Sequence, residues 1–180
     1  MRFVATPIAG VHVVELERHE DDRGFFARAW DGVELAAAGL NGARSQCSVS
    51  RNVAEATLRG MHFQRPPHEE AKLVRCTRGA IFDVAVDLRP GSPTHGRWFG
   101  AELDAESGRA LYIPEGCAHG FQTLVPDTDV FYAISAPYAP DAAAGVRWDD
   151  PAFGIEWPEA DLRVINERDR AWPDYGPVSA

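Results

Sequence analysis

Short runs in which apolar and polar residues alternate dominate the chain, and Gly, Pro, Asp and Asn separate one run from the next. The run over residues 80–88 shows the two-residue period best, with apolar side chains on one face and Asp83 and Asp87 on the other. This period predicts a half-buried β-strand. Because many such runs follow one another at even spacing, the pattern predicts an all-β sandwich or barrel. The predicted strands cover residues 11–17, 25–30, 44–51, 57–63, 71–78, 80–88, 97–104, 110–113, 119–124 and 129–136.

One short helix interrupts the strand pattern, over residues 32–38. Asp31 precedes it as a capping residue, Glu34 is placed to complete a capping box, and Gly39 is suited to end the helix. The proline-containing tail from Glu159 onward predicts loops or short helical turns. Since no repeat, low-complexity segment or linker divides the chain, we expect a single all-β domain over residues 1–180.

Composition argues against several classes of function. The 180 residues carry a formal net charge of −9, which disfavours binding along a nucleic-acid backbone. No apolar run reaches the ~20 residues that a membrane span needs, and residues 1–10 lack the pattern of a signal peptide. Cys47, Cys76 and Cys117 match no zinc or redox spacing and are interpreted as small apolar residues in a reducing compartment. We therefore expect a cytoplasmic protein that binds neither nucleic acid nor a membrane.

Three polar residues stand on the more apolar faces of predicted strands, namely His62, Lys72 and Tyr132. If these faces line one barrel, its interior contains an imidazole, an ammonium group and a phenol. Each has an ordinary explanation alone, because a core His or Tyr can be satisfied by a hydrogen bond and a Lys can extend to the rim. Together they supply the base, the cation and the acid that proton-transfer chemistry needs. At this point the catalytic and the structural interpretations both stay open.

The segment from Gly108 to His119 has the spacing G-x5-P-x-G-x2-H, which is typical of the second cupin motif. The His of that motif binds a metal ion in many cupins. In the first cupin motif a metal-binding Glu stands seven residues before a Gly, whereas here Gly79 occupies the Gly position and Lys72 that of the Glu. A cation at a ligand position opposes a divalent metal ion. The sequence therefore predicts a cupin frame without a bound metal.

Eight short blocks of sequence follow one another between residues 5 and 175: Asp21–Phe26, Leu58–Gln64, Lys72–Arg75, Asp83–Arg89, Gly91–Thr94, Ile113–Gly116, Ala118–Phe121 and Trp148–Pro151. In these blocks and in their order, the chain resembles the dTDP-4-dehydrorhamnose 3,5-epimerase family. The resemblance implies a cupin jelly-roll barrel, a homodimer with strands exchanged between subunits, and chemistry without a metal ion or other cofactor. It also implies a nucleotide-sugar substrate, a 4-keto-6-deoxyhexose that is inverted at carbon 3, carbon 5 or both through an enolate.

The same resemblance implies a role for each residue of the catalytic set. His62 matches the base, and Asp169 matches the carboxylate that orients this imidazole. Lys72 would stabilise the enolate oxygen, and Tyr132 would be the acid on the opposite face of the sugar. His119 would contact the sugar rather than a metal ion.

Five further positions match residues with which the family holds the nucleotide part of its substrate. Arg23 and Arg59 would bind the diphosphate, and Arg168 matches a basic position near the nucleotide. Tyr138 would stack on thymine, and Phe26 would help to cover the base in the site of a partner subunit. Strict alternation turns Arg59 away from the catalytic face, so its assignment requires a β-bulge or a strand edge at this point.

Three positions depart from the pattern of the family. Arg28 and Ala143 stand where the family often has Glu, and Ser45–Ser48 replaces part of a Gln-Asp-Asn-His-Ser stretch. The family uses these positions to recognise the nucleotide, so its identity stays open. The alternatives are an enzyme that inverts only carbon 3 or carbon 5, a 3,4-ketoisomerase of another nucleotide sugar, and a non-catalytic cupin that binds a sugar.

Overall fold

The computed structural model describes residues 1–176, so the last four positions of the predicted domain lie outside the described residues. Each of the ten predicted strands has a counterpart, and the two helices, α1 (Gly32–Ala37) and α2 (Glu167–Arg170), are short. The all-β prediction is therefore confirmed. The strands are β1 (Arg2–Ala5), β2 (His12–Glu15), β3 (Arg18–Asp21), β4 (Gly24–Ala27), β5 (Gln46–Asn52), β6 (Leu58–Gln64), β7 (Lys72–Arg78), β8 (Ala80–Asp87), β9 (Trp98–Asp104), β10 (Ala110–Ile113), β11 (Cys117–Thr123), β12 (Thr128–Ile134) and β13 (Ala143–Gly145).

Two antiparallel sheets make up most of the structure. One has six strands in the order β1-β2-β10-β7-β12-β5, and the other has five in the order β13-β6-β11-β8-β9. Strands β3 and β4 pair only with each other and form a separate hairpin. Successive strands such as β7 and β8 belong to different sheets, which is the arrangement of a jelly-roll barrel.

The main apolar core lies between the two sheets. It joins Val74 and Val130 of the six-stranded sheet to Ile81, Ala85 and Phe121 of the five-stranded sheet. A second cluster covers the outer face of the six-stranded sheet beneath α1, and a third covers the outer face of the five-stranded sheet beneath the C-terminal segment. Because both outer faces are partly covered, the central strands are buried on two sides.

The prediction of a half-buried strand over residues 80–88 is wrong for this reason. The apolar face of β8 packs under the C-terminal segment, and Asp83 and Asp87 on the other face are fully buried as well. Asp87 accepts hydrogen bonds from Arg89, Ser92 and Thr94. Burial alone would raise the pKa of Asp87, but these hydrogen bonds hold it below its ordinary value. The sequence pattern alone does not distinguish a buried, hydrogen-bonded carboxylate of this kind from a carboxylate on the surface.

The predicted cap of α1 is half correct. The carboxylate of Asp31 accepts hydrogen bonds from the backbone N–H groups of Val33 and Glu34, at 2.8 and 3.1 Å. The reciprocal half of the capping box is wrong, because the Glu34 carboxylate instead binds the amino group of Met1 and the guanidinium of Arg28. Neither helix in the described part of the chain is long and apolar enough to cross a membrane.

Three strands and one cysteine differ from expectation. The pattern did not predict β1, β3 or β13, since β3 contains no apolar residue and the other two are too short to show a period. Cys76 and Cys117 are buried like small apolar residues, but Cys47 is exposed on β5.

Candidate functional site

A pocket of about 390 Å³ lies between side chains of the two sheets. The five-stranded sheet contributes Arg59, His62 and His119, and the six-stranded sheet contributes Lys72 and Tyr132. His62 and His119 are directly opposite each other in the paired strands β6 and β11. Lys72 and Tyr132 belong to β7 and β12, which are also paired. Two imidazoles on one sheet therefore face an ammonium group and a phenol on the other.

Strand β6 carries a β-bulge where it passes the pocket. Arg59 pairs with Phe121 and His62 pairs with His119, so three steps along β6 match two steps along β11. The extra residue turns the side chains of Arg59 and His62 to the same side. The two strands approach closely here, since a Cβ on Gly60 would lie 2.5 Å from the backbone of β11. Of the two explanations for the orientation of Arg59, a β-bulge or a strand edge, the bulge is confirmed.

His62 forms a hydrogen-bonded pair with Asp169 of α2. Its Nε2 lies 2.7 Å from Oδ1 of Asp169, and the backbone N–H of Gly60 donates to the other carboxylate oxygen at 3.1 Å. Burial acts to raise the pKa of Asp169, but the bonds from His62 and Gly60 hold it below its ordinary value. The ionised carboxylate accepts the Nε2 proton, which leaves Nδ1 of His62 with a free lone pair. An imidazole held in this way can act as a base.

Lys72 is only 7% exposed, at the start of β7. Its Nζ lies 3.0 Å from Oε1 of Glu70 and 3.4 Å from the carbonyl oxygen of His62. A buried ammonium group needs such partners, because an unpaired charge is strongly unfavourable away from water. Since Glu70 and Lys72 both line the pocket, the ammonium group is held at the wall, where it can stabilise negative charge on a bound molecule.

Tyr132 lies beside a second imidazole–carboxylate pair. Nε2 of His119 lies 2.7 Å from Oδ1 of Asp83, and the ring centroids of His119 and Tyr132 are 5.9 Å apart in an edge-to-face arrangement. Burial raises the pKa of the fully buried Asp83. Burial, with a smaller contribution from Asp83, also raises the pKa of Tyr132 above its ordinary value. The phenol therefore keeps its proton at neutral pH and can act as an acid.

Trp172 packs against the His62–Asp169 pair. The ring centroids of Trp172 and His62 are 6.4 Å apart, edge to face, and the guanidinium of Arg168 lies 5.1 Å above the indole. Gly145 of β13 makes room for the indole, because a Cβ there would lie 2.4 Å from Trp172. The C-terminal segment thereby fixes both the carboxylate and an aromatic neighbour of the imidazole.

The structure brings eight of the ten predicted site residues together in one pocket. The eight are His62, Lys72, Tyr132, Asp169, Arg59, His119, Tyr138 and Arg168. The last two lie at the exposed rim of the pocket. Arg23 and Phe26 lie instead on the β3–β4 hairpin, where the Arg23 side chain is 89% exposed and Phe26 is 76% exposed. Arg23 forms an ion pair with its neighbour Asp21. Within a single chain, these two residues do not line the pocket.

Several residues at or next to the pocket carry no signal in the sequence pattern or lie outside the predicted set. Asp83 pairs with a pocket imidazole, Glu70 pairs with the ammonium group, and Oδ1 of Asn52 accepts a hydrogen bond from Nε of Arg59 at 2.8 Å. Asp83 shares a face of β8 with Ile81 and Ala85, so its place beside the pocket follows only once the structure shows that this face is the inner one. Glu70, Asn52 and Trp172 lie at strand ends or in loops, where the alternation gives no signal.

The metal-binding position of other cupins has a different environment here. Within residues 1–176, no three His, Cys, Asp or Glu side chains are grouped so that they could hold a metal ion. His119, at the ligand position of the second cupin motif, is hydrogen-bonded to Asp83. Chemistry without a metal ion or other cofactor stays a prediction from the sequence.

These features together define a cupin-type isomerase, because proton removal and proton return are what such a pocket can carry out. The family model described as dTDP-4-dehydrorhamnose 3,5-epimerase matches residues 5–176. The chain belongs to this family, and the cupin fold that its sequence predicted is confirmed.

Individual relatives agree with this assignment. The chain is 44% identical to a dTDP-4-dehydrorhamnose 3,5-epimerase of Sinorhizobium fredii, over 96% of this chain and 89% of the relative. Identity to the enzyme of that name from Salmonella typhimurium is 40%, over 96% and 94% of the two chains. A crystal structure of the Bacillus anthracis enzyme with TDP and PPi bound superposes with a TM-score of 0.92 at 37% identity, covering 97% and 99%. The structure of ChmJ, a 3'-monoepimerase from Streptomyces bikiniensis in complex with dTDP-quinovose, gives 0.86 at 35% identity, covering 94% and 85%.

Proposed function

We propose that this isomerase inverts carbon 3 and carbon 5 of a dTDP-linked 4-keto-6-deoxyhexose in deoxysugar biosynthesis. The observation that carries the proposal is that His62 and Tyr132 enter one pocket from opposite sheets. Epimerisation needs this arrangement, because the proton must leave one face of the sugar ring and return to the other. A pure binding protein has no need of an oriented base and a protonated acid on opposite walls.

The proposed reaction begins at the carbon next to the ketone. Nδ1 of His62 removes its proton, the C–H electrons form a carbon–carbon double bond, and the carbonyl oxygen takes up the negative charge. The Lys72 ammonium group stabilises this enolate oxygen. As the ketone re-forms, the Tyr132 hydroxyl donates a proton to the opposite face of the carbon. Exchange with water then removes the proton from His62 and restores the one on Tyr132, and Asp169 stabilises the imidazolium in the interval.

The remaining pocket residues would bind the non-reacting parts of the substrate. His119 is placed beside Tyr132, where it can contact the sugar. Arg59 would bind the diphosphate, because its guanidinium enters the pocket at the bulge while Asn52 holds its Nε. Arg168 would lie near the nucleotide, and the exposed ring of Tyr138 at the rim would stack on the base.

Proton NMR in D2O tests this function directly. The purified protein is incubated with dTDP-4-keto-6-deoxyglucose, and we expect deuterium at carbons 3 and 5 together with inversion at both. A binding protein would give neither exchange nor inversion. A 3,4-ketoisomerase would move the ketone from carbon 4 to carbon 3. Either result would overturn the proposal.

A single-carbon epimerase is the second candidate function. It is favoured by the similarity to ChmJ, because ChmJ is a 3'-monoepimerase and this fold therefore also serves a single inversion. The same NMR experiment separates the two candidates, since inversion would then occur at carbon 3 alone.

We also propose that the chain acts as a homodimer in which the hairpin of one subunit completes the pocket of the other, with strands exchanged between the subunits. Phe25 and Phe26 are 49% and 76% exposed on this hairpin. Two adjacent exposed aromatic side chains form an apolar patch that is suited to contact with another protein subunit. Strands β1 and β5 are the free edges of the six-stranded sheet, and Val49 of β5 is 67% exposed beside the pocket. Both features are suited to contact with a second copy.

We further propose a cytoplasmic location, which agrees with the three free cysteines.

Complementation between two defective variants tests the shared site. His62→Ala removes the base, and the double variant Arg23→Ala with Phe26→Ala removes the hairpin contribution. If the hairpin acts in the partner's site, a mixed dimer contains one intact pocket, and mixing the two inactive proteins restores epimerase activity. If each chain uses its own hairpin, no pocket in the mixture is intact. Light scattering of the mixture verifies that dimers are present, and a monomeric wild-type protein would rule out the dimer.

A further inference from the structure

We infer that Gln64 is a positioning residue for nucleotide binding, because its buried amide fixes the segment that carries Tyr138. The inference rests on the proposed function, in which Tyr138 contacts the base of the nucleotide. Gln64 is the last residue of β6 and is only 3% exposed. It follows His62 by two positions on the same strand, so the catalytic strand also reaches the nucleotide end of the pocket.

The Gln64 side chain is bonded at both ends of its amide. Its Nε2 donates to the carbonyl oxygens of His68 at 2.8 Å and Pro137 at 3.2 Å. Its Oε1 accepts from the backbone N–H of Ala139 at 2.6 Å. These partners fix which end of the amide is nitrogen, because a carbonyl can only accept and an N–H can only donate.

Two of the three bonds flank Tyr138 in the sequence. Gln64 holds the residue before Tyr138 through its carbonyl group and the residue after it through its N–H group. The Tyr138 ring is itself 57% exposed at the pocket rim. An exposed ring has few contacts that set its direction, so the backbone on either side must do so. A ring that is already oriented loses less conformational entropy when a nucleotide binds.

The substitution Gln64→Met tests this role, because it keeps the side-chain length and removes all three hydrogen bonds. We expect the dissociation constant for dTDP, measured by calorimetry, to rise roughly tenfold. With the complete substrate, KM should rise by a similar factor while kcat stays within about threefold of wild type, because the lost interaction is made equally in the ground and transition states. A fall in kcat with unchanged KM would contradict the inference.

Gln122→Met is the matched control. Gln122 is 2% exposed on the neighbouring strand β11, where its amide bonds the carbonyl of Pro158 and the guanidinium of Arg163, away from the pocket. Both substitutions remove a buried amide and should lower the Tm, but only Gln64→Met should weaken dTDP binding. If Gln64→Met does not fold, Gln64→Glu takes its place, since a carboxylate still accepts from Ala139 but cannot donate to the two carbonyls.

A double-mutant cycle with Tyr138→Ala separates the inference from the proposed function. In the Tyr138→Ala background, Gln64→Met should weaken dTDP binding by less than about twofold, because both changes act on one interaction. If Tyr138→Ala itself leaves dTDP binding unchanged, the proposed role of Tyr138 is wrong. If Tyr138→Ala weakens binding and Gln64→Met does not, only the positioning role of Gln64 is wrong.

Discussion

Replacing His62 by alanine is expected to lower the rate of epimerisation by about 10³-fold, within the range of general-base catalysis. Deuterium exchange at both carbons should fall by the same factor, because in the proposed reaction every proton that leaves the sugar passes to this imidazole. The measurement is initial exchange in D2O followed by NMR. The dissociation constant for dTDP should change little, since the proposed reaction places His62 beside the sugar rather than the nucleotide.

Asp169→Asn should show an intermediate loss. The amide can still accept the Nε2 proton of His62, but it no longer stabilises the imidazolium electrostatically. His95→Ala is the control for the removal of a histidine, because His95 is exposed and lies outside the pocket. Full exchange in His62→Ala would show that another group is the base.

Tyr132→Phe is expected to separate exchange from inversion. Deprotonation by His62 does not need the phenol, so deuterium should still enter the substrate at a substantial rate. Inversion should fall by about 10²-fold or more, because no acid delivers a proton to the opposite face. Since burial raises the pKa of Tyr132 above its ordinary value, the proposed acid is protonated throughout the neutral range. Deprotonation of Tyr132 should therefore not lower the wild-type inversion rate at any pH below about 10, which is the ordinary pKa of a phenol.

Tyr112→Phe provides the comparison for a lost phenol. Tyr112 is buried on the outer face of the six-stranded sheet, where its hydroxyl accepts a hydrogen bond from the backbone N–H of Asn41 at 2.8 Å. Its loss should cost stability by about 1 kcal/mol and leave the ratio of inversion to exchange unchanged. Complete epimerisation by Tyr132→Phe would remove Tyr132 from the role of acid.

The sequence pattern was informative where strands had one apolar face directed into the barrel. On β7 and β12, alternation placed Lys72 and Tyr132 among interior residues, and the structure brings both to the pocket. The conflict between alternation and the family position of Arg59 indicated a β-bulge or a strand edge, and a bulge lies at that point of β6. Local periodicity and the resemblance together were thus sufficient to identify most of the pocket residues that had been predicted as site residues.

Long-range packing explains what the pattern did not predict. Asp83 and Asp87 look like solvent-facing residues in the sequence, but Ile81 and Ala85 on the same face of β8 belong to the core between the sheets, and the C-terminal segment covers the opposite, apolar face. The position of Asp169 followed only from the resemblance, since α2 has four residues and no periodicity of its own. The position of Trp172 depends on the space that the missing side chain of Gly145 leaves, and the two residues meet only in the folded chain.

The division of the reacting groups between two sheets has a consequence for stereochemical fidelity. The proposed base, His62, and the proposed acid, Tyr132, are carried by separate sheets, which pack face to face at about 10 Å in proteins generally. In the proposed reaction, the width of the gap that the sugar ring bridges would depend on the volume of the side chains between the sheets, such as Val74 and Val130. A substitution that changes the interior volume would then alter the ratio of inverted product to sugar that is reprotonated on its original face, although no residue of the pocket has been replaced.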